Sequence, residues 1–255
     1  MTPAWLARLR ERADTPPLRP RDTLRLAQAR AEIGSVEPAL AQRLADAGLL
    51  RSDGAAAWLI DDPADAALAR IAAWLREAGV ASRWRDELLA VTDAAGKVHA
   101  AIERAAVRPL GITTHAVHLV GRHADGRWWL QQRALDKATD PGLWDTLMGG
   151  LVAGHETLLQ TLERETWEEA GLHVAELQQL ADRGQLRVRR PVAEGYMVER
   201  IWIWEAVVPA ALQPVNQDGE VQRFECVDDT MLREWLVAEA FTLEAALVLA
   251  QVGAP

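Results

Sequence analysis

Residues 149–172 read GGLVAGHETLLQTLERETWEEAGL, and this segment constrains the structure more tightly than any other part of the chain. Its spacing predicts an amphipathic helix over 157–170 that ends at Gly171. On a helix that advances about 100° per residue, Glu165, Glu168 and Glu169 are related as i, i+3 and i+4, so their carboxylates share one face. Like charges this close destabilise an isolated helix, and a bound divalent cation would reverse that cost.

A second face of the same predicted helix is suited to packing on a sheet. Leu159, Leu162, Thr166 and Ala170 form this stripe beside the acidic face. Carboxylate oxygens without Cys or His favour Mg²⁺, or Mn²⁺, over zinc. The segment therefore predicts a helix that binds a metal on one side and is anchored to a sheet on the next.

The order and spacing of residue types in this segment resemble the signature of the Nudix hydrolases. The matching positions are Gly150, Glu156, Arg164, Glu165, Glu168, Glu169, Gly171 and Leu172. One departure is Thr166, where a bulky aliphatic residue is usual, and it is expected to affect packing more than chemistry. The resemblance implies an α/β (α+β) protein with a Nudix fold, in which a mixed β-sheet lies between helices.

The resemblance also implies a set of metal ligands. Glu165 and Glu169 are the expected primary ligands of one to three Mg²⁺ or Mn²⁺ ions, and Glu168 is a supporting ligand or the base. The carbonyl of Gly150 is expected to complete the shell. The implied activity is metal-dependent hydrolysis of a diphosphate, in which a carboxylate positions or deprotonates the attacking water.

Other residues of the signature are expected to be structural or to assist catalysis. Glu156 and Arg164 are implied to hold the loop to the helix, and Gly171 to end the helix. In this superfamily the base is sometimes on a late loop, and Glu220 in QDGEV is the candidate here. A surface acid beside a turn is the alternative for Glu220. The predicted catalytic carboxylates are thus Glu168, Glu169 and Glu220.

A narrower resemblance extends over most of residues 20–250. The segments resemble the two-domain Nudix group related to the N-terminal part of fungal thiamin pyrophosphokinase. They are SRWRDELLAV (82–91), IERAAVRPLGITTHAVHLVG (102–121), QQRALDKATDPGLWD (131–145), QDGEVQRF (217–224) and FTLEAALVL (241–249). This resemblance implies conversion of thiamin diphosphate, or its oxidised or damaged analogues, to the monophosphate.

Such a substrate requires cations for the diphosphate and a site for its rings. Arg133 and Lys137 flank the loop before the signature, and a guanidinium and an ammonium suit diphosphate oxygens. Exposed solubilising charges are the alternative. Trp144 in PGLWD is a candidate for stacking on a heteroaromatic ring, with core packing as the alternative. His115 and His118 are assigned to one face of a predicted strand, mainly as structural imidazoles.

Composition restricts the partners. Lys and Arg total 28 against 37 Asp and Glu, so the net charge of −9 disfavours non-specific nucleic-acid binding. The single cysteine, Cys226, excludes an intramolecular disulfide and a cysteine-rich zinc site and favours a reducing cytoplasm. No window approaches 18 uninterrupted apolar residues, which predicts no membrane partner. The expected partner is a small-molecule diphosphate, and the protein is expected to be a monomer or a homodimer.

The chain is predicted to divide near a Pro-Leu-Gly break. Residues 1–110 are expected to form a small α+β domain, and residues 111–255 the Nudix domain. Helices are predicted over 37–48, 63–78, 157–170 and twice within 229–250. Strands are predicted over 55–60, 87–91, 98–102, 114–120, 127–133, 183–190 and 199–207.

Three other functions compete with thiamin diphosphate hydrolysis. The first is hydrolysis of another nucleoside or coenzyme diphosphate, such as ADP-ribose or a damaged nucleotide, because the signature binds the shared diphosphate. Isopentenyl diphosphate isomerases have a related fold but use a Cys before the signature, whereas Cys226 follows it. A noncatalytic Nudix-fold ligand sensor would be expected to lose the metal glutamates, and all of them are present.

Overall fold

The computed structural model describes residues 2–61 and 63–255. Its first part is a small mixed sheet with the strand order β2-β1-β4-β3, in which only the β1–β4 pair is parallel. The elements are α1 (Pro3–Ala13), β1 (Asp22–Leu26), β2 (Glu32–Val36), α2 (Pro38–Asp46), β3 (Arg51–Ser52), β4 (Ala57–Ile60) and α3 (Ala64–Glu77). The predicted helices over 37–48 and 63–78 are confirmed as α2 and α3.

An antiparallel hairpin and one short helix connect this sheet to the rest of the chain. They are β5 (Leu88–Thr92), β6 (Val98–Glu103) and α4 (Arg104–Val107). The hairpin packs into the same apolar cluster as α2 and α3, through residues such as Leu89, Val91 and Ile102. A bridge between Leu89 and Ala153 also places the hairpin against the loop that precedes the Nudix signature helix.

A seven-stranded mixed sheet forms the second part. Its main strand order is β11-β12-β7-β8-β13, with β10 paired to β7 and β9 to β8, and only β12–β7 is parallel. The elements are β7 (Thr113–His123), β8 (Trp128–Arg133), β9 (Trp144–Asp145), β10 (Met148–Leu151), α5 (Leu158–Ala170), β11 (Gln178–Val192), β12 (Gly195–Val208), β13 (Val221–Val227), α6 (Asp229–Val237) and α7 (Leu243–Gln251).

Helices cover both faces of this sheet. Ala116 and Val120 of β7 belong to the core cluster that contains α1, α6 and α7, whereas Val117 and Leu119 belong to the cluster that contains α5. Successive side chains of a strand point to opposite faces, so the two clusters lie on opposite sides of the sheet. The predicted α/β class, with a mixed sheet between helices, is confirmed.

The signature helix α5 begins and ends at positions that the sequence specifies. Thr157 caps the N-terminus by accepting a hydrogen bond from the Gln160 N–H, and Gly171 ends the helix with a φ of 62°. Leu162, Thr166 and Ala170 are buried on the sheet as predicted. The prediction for Leu159 was wrong because that side chain is 62% exposed. It lies in the first turn of α5, one turn before the buried Leu162.

The predicted division of the chain near residue 110 stays a prediction. Apolar residues 24–112 share one core cluster, but Trp5 and Leu9 of α1 belong to the cluster of α6 and α7. The first helix therefore packs on the second part of the chain. Within the described residues, no helix is both long enough and apolar enough to cross a membrane.

Candidate active site

A polar cavity of about 650 Å³ lies beside α5, and the sheet, three loops and the hairpin region all contribute to its wall. The signature residues on the wall are Gly149, Gly150, Arg164, Glu165, Glu168 and Glu169. The loop after β8 adds residues 136–140 and the loop before β13 adds 218–220. The cavity thus brings together residues that are up to 159 positions apart in sequence, from Arg85 to Glu244.

Two buried carboxylates lie at the centre of the signature. Glu169 is 2% exposed, and its Oε2 accepts hydrogen bonds from Gln131 Nε2 at 2.9 Å and from the Gly149 N–H at 3.0 Å. Burial, reinforced by the charge of Glu165, raises the pKa of Glu169 to about 8. Burial also raises the pKa of Glu165 to about 7, although Arg164 opposes that shift. A nearby cation would lower both values.

Gly150 provides the space that the Glu165 side chain occupies. A Cβ built on Gly150 would overlap the carboxyl group of Glu165. Gly150 pairs with Val117 across the β10–β7 ladder, which fixes the backbone at that point. The glycine of the signature is therefore required by the close approach of β10 to α5.

Arg164 connects the loop to the helix, as the resemblance implies. Its Nε and Nη2 donate to the two oxygens of Glu156 at 2.7 and 2.9 Å. Its Nη1 lies 2.8 Å from Glu165 Oε1 and 2.9 Å from Glu168 Oε2. The hydrogen bonds from Arg164 hold the pKa of Glu156 at about 2.

The donor chemistry of the site fits a hard divalent cation. Glu169 is buried and Glu165 is mostly buried, and desolvation by burial raises the pKa of both carboxyl groups. Arg164 Nη1 lies within 2.9 Å of both Glu165 and Glu168. Among residues 2–61 and 63–255, no group of three or more His, Cys, Asp or Glu side chains is arranged to hold a metal ion. The site therefore matches a hard divalent cation in the type and the burial of its donors. Its side chains are not arranged as a complete coordination shell.

The predicted cations and the late-loop acid all lie on the cavity wall. Lys137 forms an ion pair with Glu220 that joins the loop after β8 to the loop before β13. Burial opposes ionisation of Glu220, but Lys137 and two nearby arginines, Arg104 and Arg133, hold its pKa below the usual value. Arg133 donates to Asp145 Oδ2 at 3.4 Å and to the carbonyl of Thr139.

Two other sequence assignments have a different setting in the structure. Trp144 is 6% exposed and stacks on Trp235 with ring centroids 4.4 Å apart, and it is not among the residues that line the cavity. The assignment of His115 and His118 to one strand face was wrong, because residues three apart on a strand point to opposite faces. His118 lies under Gly149 on the cavity wall, whereas His115 contacts Thr92 of the hairpin.

Several charged residues of the wall were missed by the sequence reasoning. They are Arg85, Glu87, Arg104, Arg108, Arg190, Glu199 and Glu244. None belongs to the signature, and no local pattern distinguishes them from surface charges. The only sequence signal was that five of them fall in segments 82–91, 102–121 and 241–249, which carry the narrower resemblance: Arg85, Glu87, Arg104, Arg108 and Glu244.

Comparison with known proteins agrees with this geometry. The NUDIX domain family matches residues 112–247, which is more than half of the chain. The chain is 30% identical over 169 residues to Nudix hydrolase 20, chloroplastic, of Arabidopsis thaliana, covering 63% of this chain and 44% of that protein. It is 31% identical over 136 residues to Nudix hydrolase 24, chloroplastic, of the same plant, covering 49% of this chain and 35% of the relative.

A solved structure is similar in fold. It is DR0079 from Deinococcus radiodurans, with a TM-score of 0.52 and 20% identity over 64% of this chain and 98% of that one. The chain therefore belongs to the Nudix domain family. The regions matched in the two plant relatives are less than half of their lengths. The narrower thiamin-related group, the cytoplasmic compartment and the oligomeric state stay predictions.

Proposed function

We propose that the protein is a metal-dependent diphosphate hydrolase. The observation that carries this proposal is the pair of buried carboxylates, Glu165 and Glu169, whose pKa values are raised to about 7 and about 8 on the wall of a polar cavity. A divalent cation held by these residues would neutralise phosphate oxygens and lower the pKa of a bound water. The Gly150 carbonyl and Glu168 are the further candidate ligands.

The chain's own residues supply substrate positioning and proton transfer. Lys137 and Arg133 line the same cavity and are the candidates that bind the diphosphate oxygens. Glu168 is half-exposed at 41% of its side chain and is the candidate that orients or deprotonates the attacking water. Glu220, whose pKa is held low, is the alternative base.

The substrate that we infer is thiamin diphosphate or one of its oxidised or damaged analogues, which is converted to the monophosphate plus phosphate. Support comes from the five sequence segments that resemble the thiamin-related group, and from the cavity. Its volume of about 650 Å³ falls within the range of cavities that enclose a substrate of this size. Another coenzyme diphosphate such as ADP-ribose is the competing substrate.

The test is a comparison of substrates with and without metal. Phosphate release and product identity would be measured for thiamin diphosphate, oxythiamin diphosphate, ADP-ribose and a nucleoside triphosphate, each with Mg²⁺ and with EDTA. We expect Mg²⁺-dependent formation of monophosphates from the thiamin compounds, with the other two poor. Preference for ADP-ribose or the triphosphate would overturn the thiamin assignment and keep the hydrolase. No turnover of any substrate would favour the sensor function.

A variant pair tests the carboxylates themselves. Glu169→Gln removes the charge at the buried position and is expected to reduce Mg²⁺-dependent turnover about 100-fold or more while the fold is kept. Glu163→Gln makes the same change at an exposed position of the same helix and is the matched control. Circular dichroism would establish that both variants are folded. Unchanged turnover in folded Glu169→Gln would contradict the assignment of Glu169 as a ligand.

A further inference from the structure

Four mostly buried charged side chains outside the Nudix signature line the cavity. We call them the charged floor, and they are Arg108, Arg190, Glu199 and Glu244. They come from four places in the chain: the turn after α4, strand β11, strand β12 and the first turn of α7. Glu199 is only 7% exposed. Burying charges is costly unless each is well paired, so this arrangement requires an explanation.

The pairing within the charged floor is loose. Arg190 Nη2 lies 3.3 Å from Glu244 Oε1, and Arg108 Nη2 lies 3.3 Å from Glu199 Oε2. Charge-assisted hydrogen bonds are usually about 2.7–2.9 Å long. The hydroxyl of Thr114 donates a hydrogen bond to the same Glu199 oxygen at 2.8 Å, which offsets part of the cost of burying that carboxylate. The two ion pairs therefore leave hydrogen-bonding capacity unused.

The unused hydrogen-bonding capacity consists of two guanidinium donors. Arg108 Nη1 and Arg190 Nε are buried and have no hydrogen-bond partner among the described residues. A buried donor without a partner is energetically costly. Burial raises the pKa of Glu244, and the charge of Glu199 adds to that shift while Arg190 offsets it only in part. A ligand that offers an acceptor to the two guanidinium groups and a donor to the Glu244 carboxyl group would give each of these three groups a hydrogen-bond partner.

We propose that the charged floor binds a planar heteroaromatic edge that carries a hydrogen-bond donor beside an acceptor. A 4-aminopyrimidine edge has this pattern, and so does its 4-oxo counterpart after a small lateral shift. Phosphate does not fit because Glu199 and Glu244 would repel it, and an apolar tail would leave the charges unpaired. The inference rests on the proposed function, since the diphosphate is then held at the signature while the ring lies on the charged floor.

The edge has two common sources, the pyrimidine of thiamin and the adenine of a nucleotide. Isothermal titration would compare monophosphates that differ only by the ring. The pairs are thiamin monophosphate against the phosphate of N-methylated hydroxyethylthiazolium, which keeps the thiazolium charge but lacks the pyrimidine, and AMP against ribose 5-phosphate. We expect one ring-bearing ligand to bind at least tenfold more tightly than its ringless partner, and the pair in which this occurs identifies the source.

Variants test whether the tighter binding of the ring-bearing ligand depends on the charged floor. Glu244→Ala is expected to remove most of the ring-dependent gain, whereas Glu234→Ala, at an exposed position of α6, keeps it. Arg190→Ala is a second test, with the exposed Arg187→Ala on the same strand as its control. Thermal unfolding would establish that each variant is folded. If Glu244→Ala does not fold, Arg190→Ala decides.

The outcomes separate this inference from the proposed function. Loss of the ring-dependent gain in the variants supports the charged floor even if thiamin diphosphate is not hydrolysed. A gain that survives in folded Glu244→Ala and Arg190→Ala overturns the charged floor even if thiamin diphosphate is hydrolysed. Equal binding of both members of each pair by the unmodified protein also overturns it.

Discussion

Arg164 donates two parallel hydrogen bonds to the carboxylate of Glu156, at 2.7 and 2.9 Å. This bidentate pair ties the loop before α5 to the middle of the helix. Because Arg164 also contacts Glu165 and Glu168, the same guanidinium joins this loop to the acidic face of the helix. The pair is half-buried, so solvent screens it less than it would screen a surface ion pair.

Replacing Glu156 by Gln is expected to destabilise the fold in a pH-dependent way. The pKa of Glu156 is about 2 in the folded protein against an ordinary value of 4.5, so its stabilisation is full above about pH 4.5 and is lost as the pH falls toward 2. We expect Glu156→Gln to lower the free energy of unfolding by about 2–3 kcal/mol at neutral pH. Urea denaturation at neutral pH and near pH 3.5 would measure the difference.

The decrease in the free energy of unfolding caused by Glu156→Gln should be smaller at the lower pH. At pH 3.5 the Glu156 carboxyl group of the unfolded chain is largely protonated, and this offsets part of the stabilisation by the ion pair. Glu163→Gln, at an exposed position, should change the free energy of unfolding little at either pH. If Glu156→Gln lowered the free energy of unfolding equally at both pH values, or not at all at neutral pH, the result would contradict stabilisation of the fold by the Glu156–Arg164 pair.

Metal-dependent stabilisation should increase with pH. The pKa values of Glu165 and Glu169 in the folded protein are about 7 and about 8, which is above the ordinary value of 4.5. Between about pH 4.5 and pH 8 the folded protein therefore binds more protons than the unfolded chain. The metal-free protein therefore loses stability as the pH rises through this range. Mg²⁺ must displace those protons in order to bind. The increase in the Tm of the protein that Mg²⁺ causes should therefore be larger near pH 8.5 than near pH 6.

Differential scanning calorimetry with Mg²⁺ and with EDTA would measure this effect. Glu169→Gln should lose most of the Mg²⁺-dependent increase in Tm at the higher pH. A Tm increase that is independent of pH, or that persists in Glu169→Gln, would place the ion elsewhere.

Lys137 should act on substrate binding. Lys137→Ala removes an ammonium from the cavity wall and is expected to raise KM for a diphosphate about tenfold, which corresponds to about 1.4 kcal/mol. The effect on kcat should be smaller, because the buried carboxylates are unchanged. Steady-state kinetics would separate the two constants. Lys97→Ala, at an exposed position in the β5–β6 turn, is the matched control and should resemble the unmodified protein.

Gly150 should tolerate no side chain while Glu165 is present. Gly150→Ala forces an overlap with the Glu165 carboxyl group and is expected to cost about 1–3 kcal/mol of stability. Adding Glu165→Ala removes the overlapping group, so the double variant should regain stability but not Mg²⁺-dependent turnover. Thermal unfolding and phosphate release would test both expectations. A single Gly150→Ala variant that is as stable as the unmodified protein would contradict the packing of β10 on α5.

Elements with a strong local signal were predictable, and short strands were not. Helix α5 has a cap, a periodic apolar stripe and a terminal glycine, and its predicted bounds are confirmed. Strands β1 and β2, by contrast, are five residues each and were not predicted, because their pairing depends on partners across the sheet. Trp144 shows the same limit: its local context is equally compatible with stacking on a ligand and with its observed stacking on Trp235.

The sequence by itself determined the family and the chemistry of the signature, because fixed helical spacing is enough to place Glu165, Glu168 and Glu169 on one face. Only the tertiary structure decided which charges surround them. Burial gives Glu165 and Glu169 their raised pKa values, and burial depends on how β7, β10 and α5 pack. The charged floor likewise joins residues 108, 190, 199 and 244, which no sequence spacing could bring together.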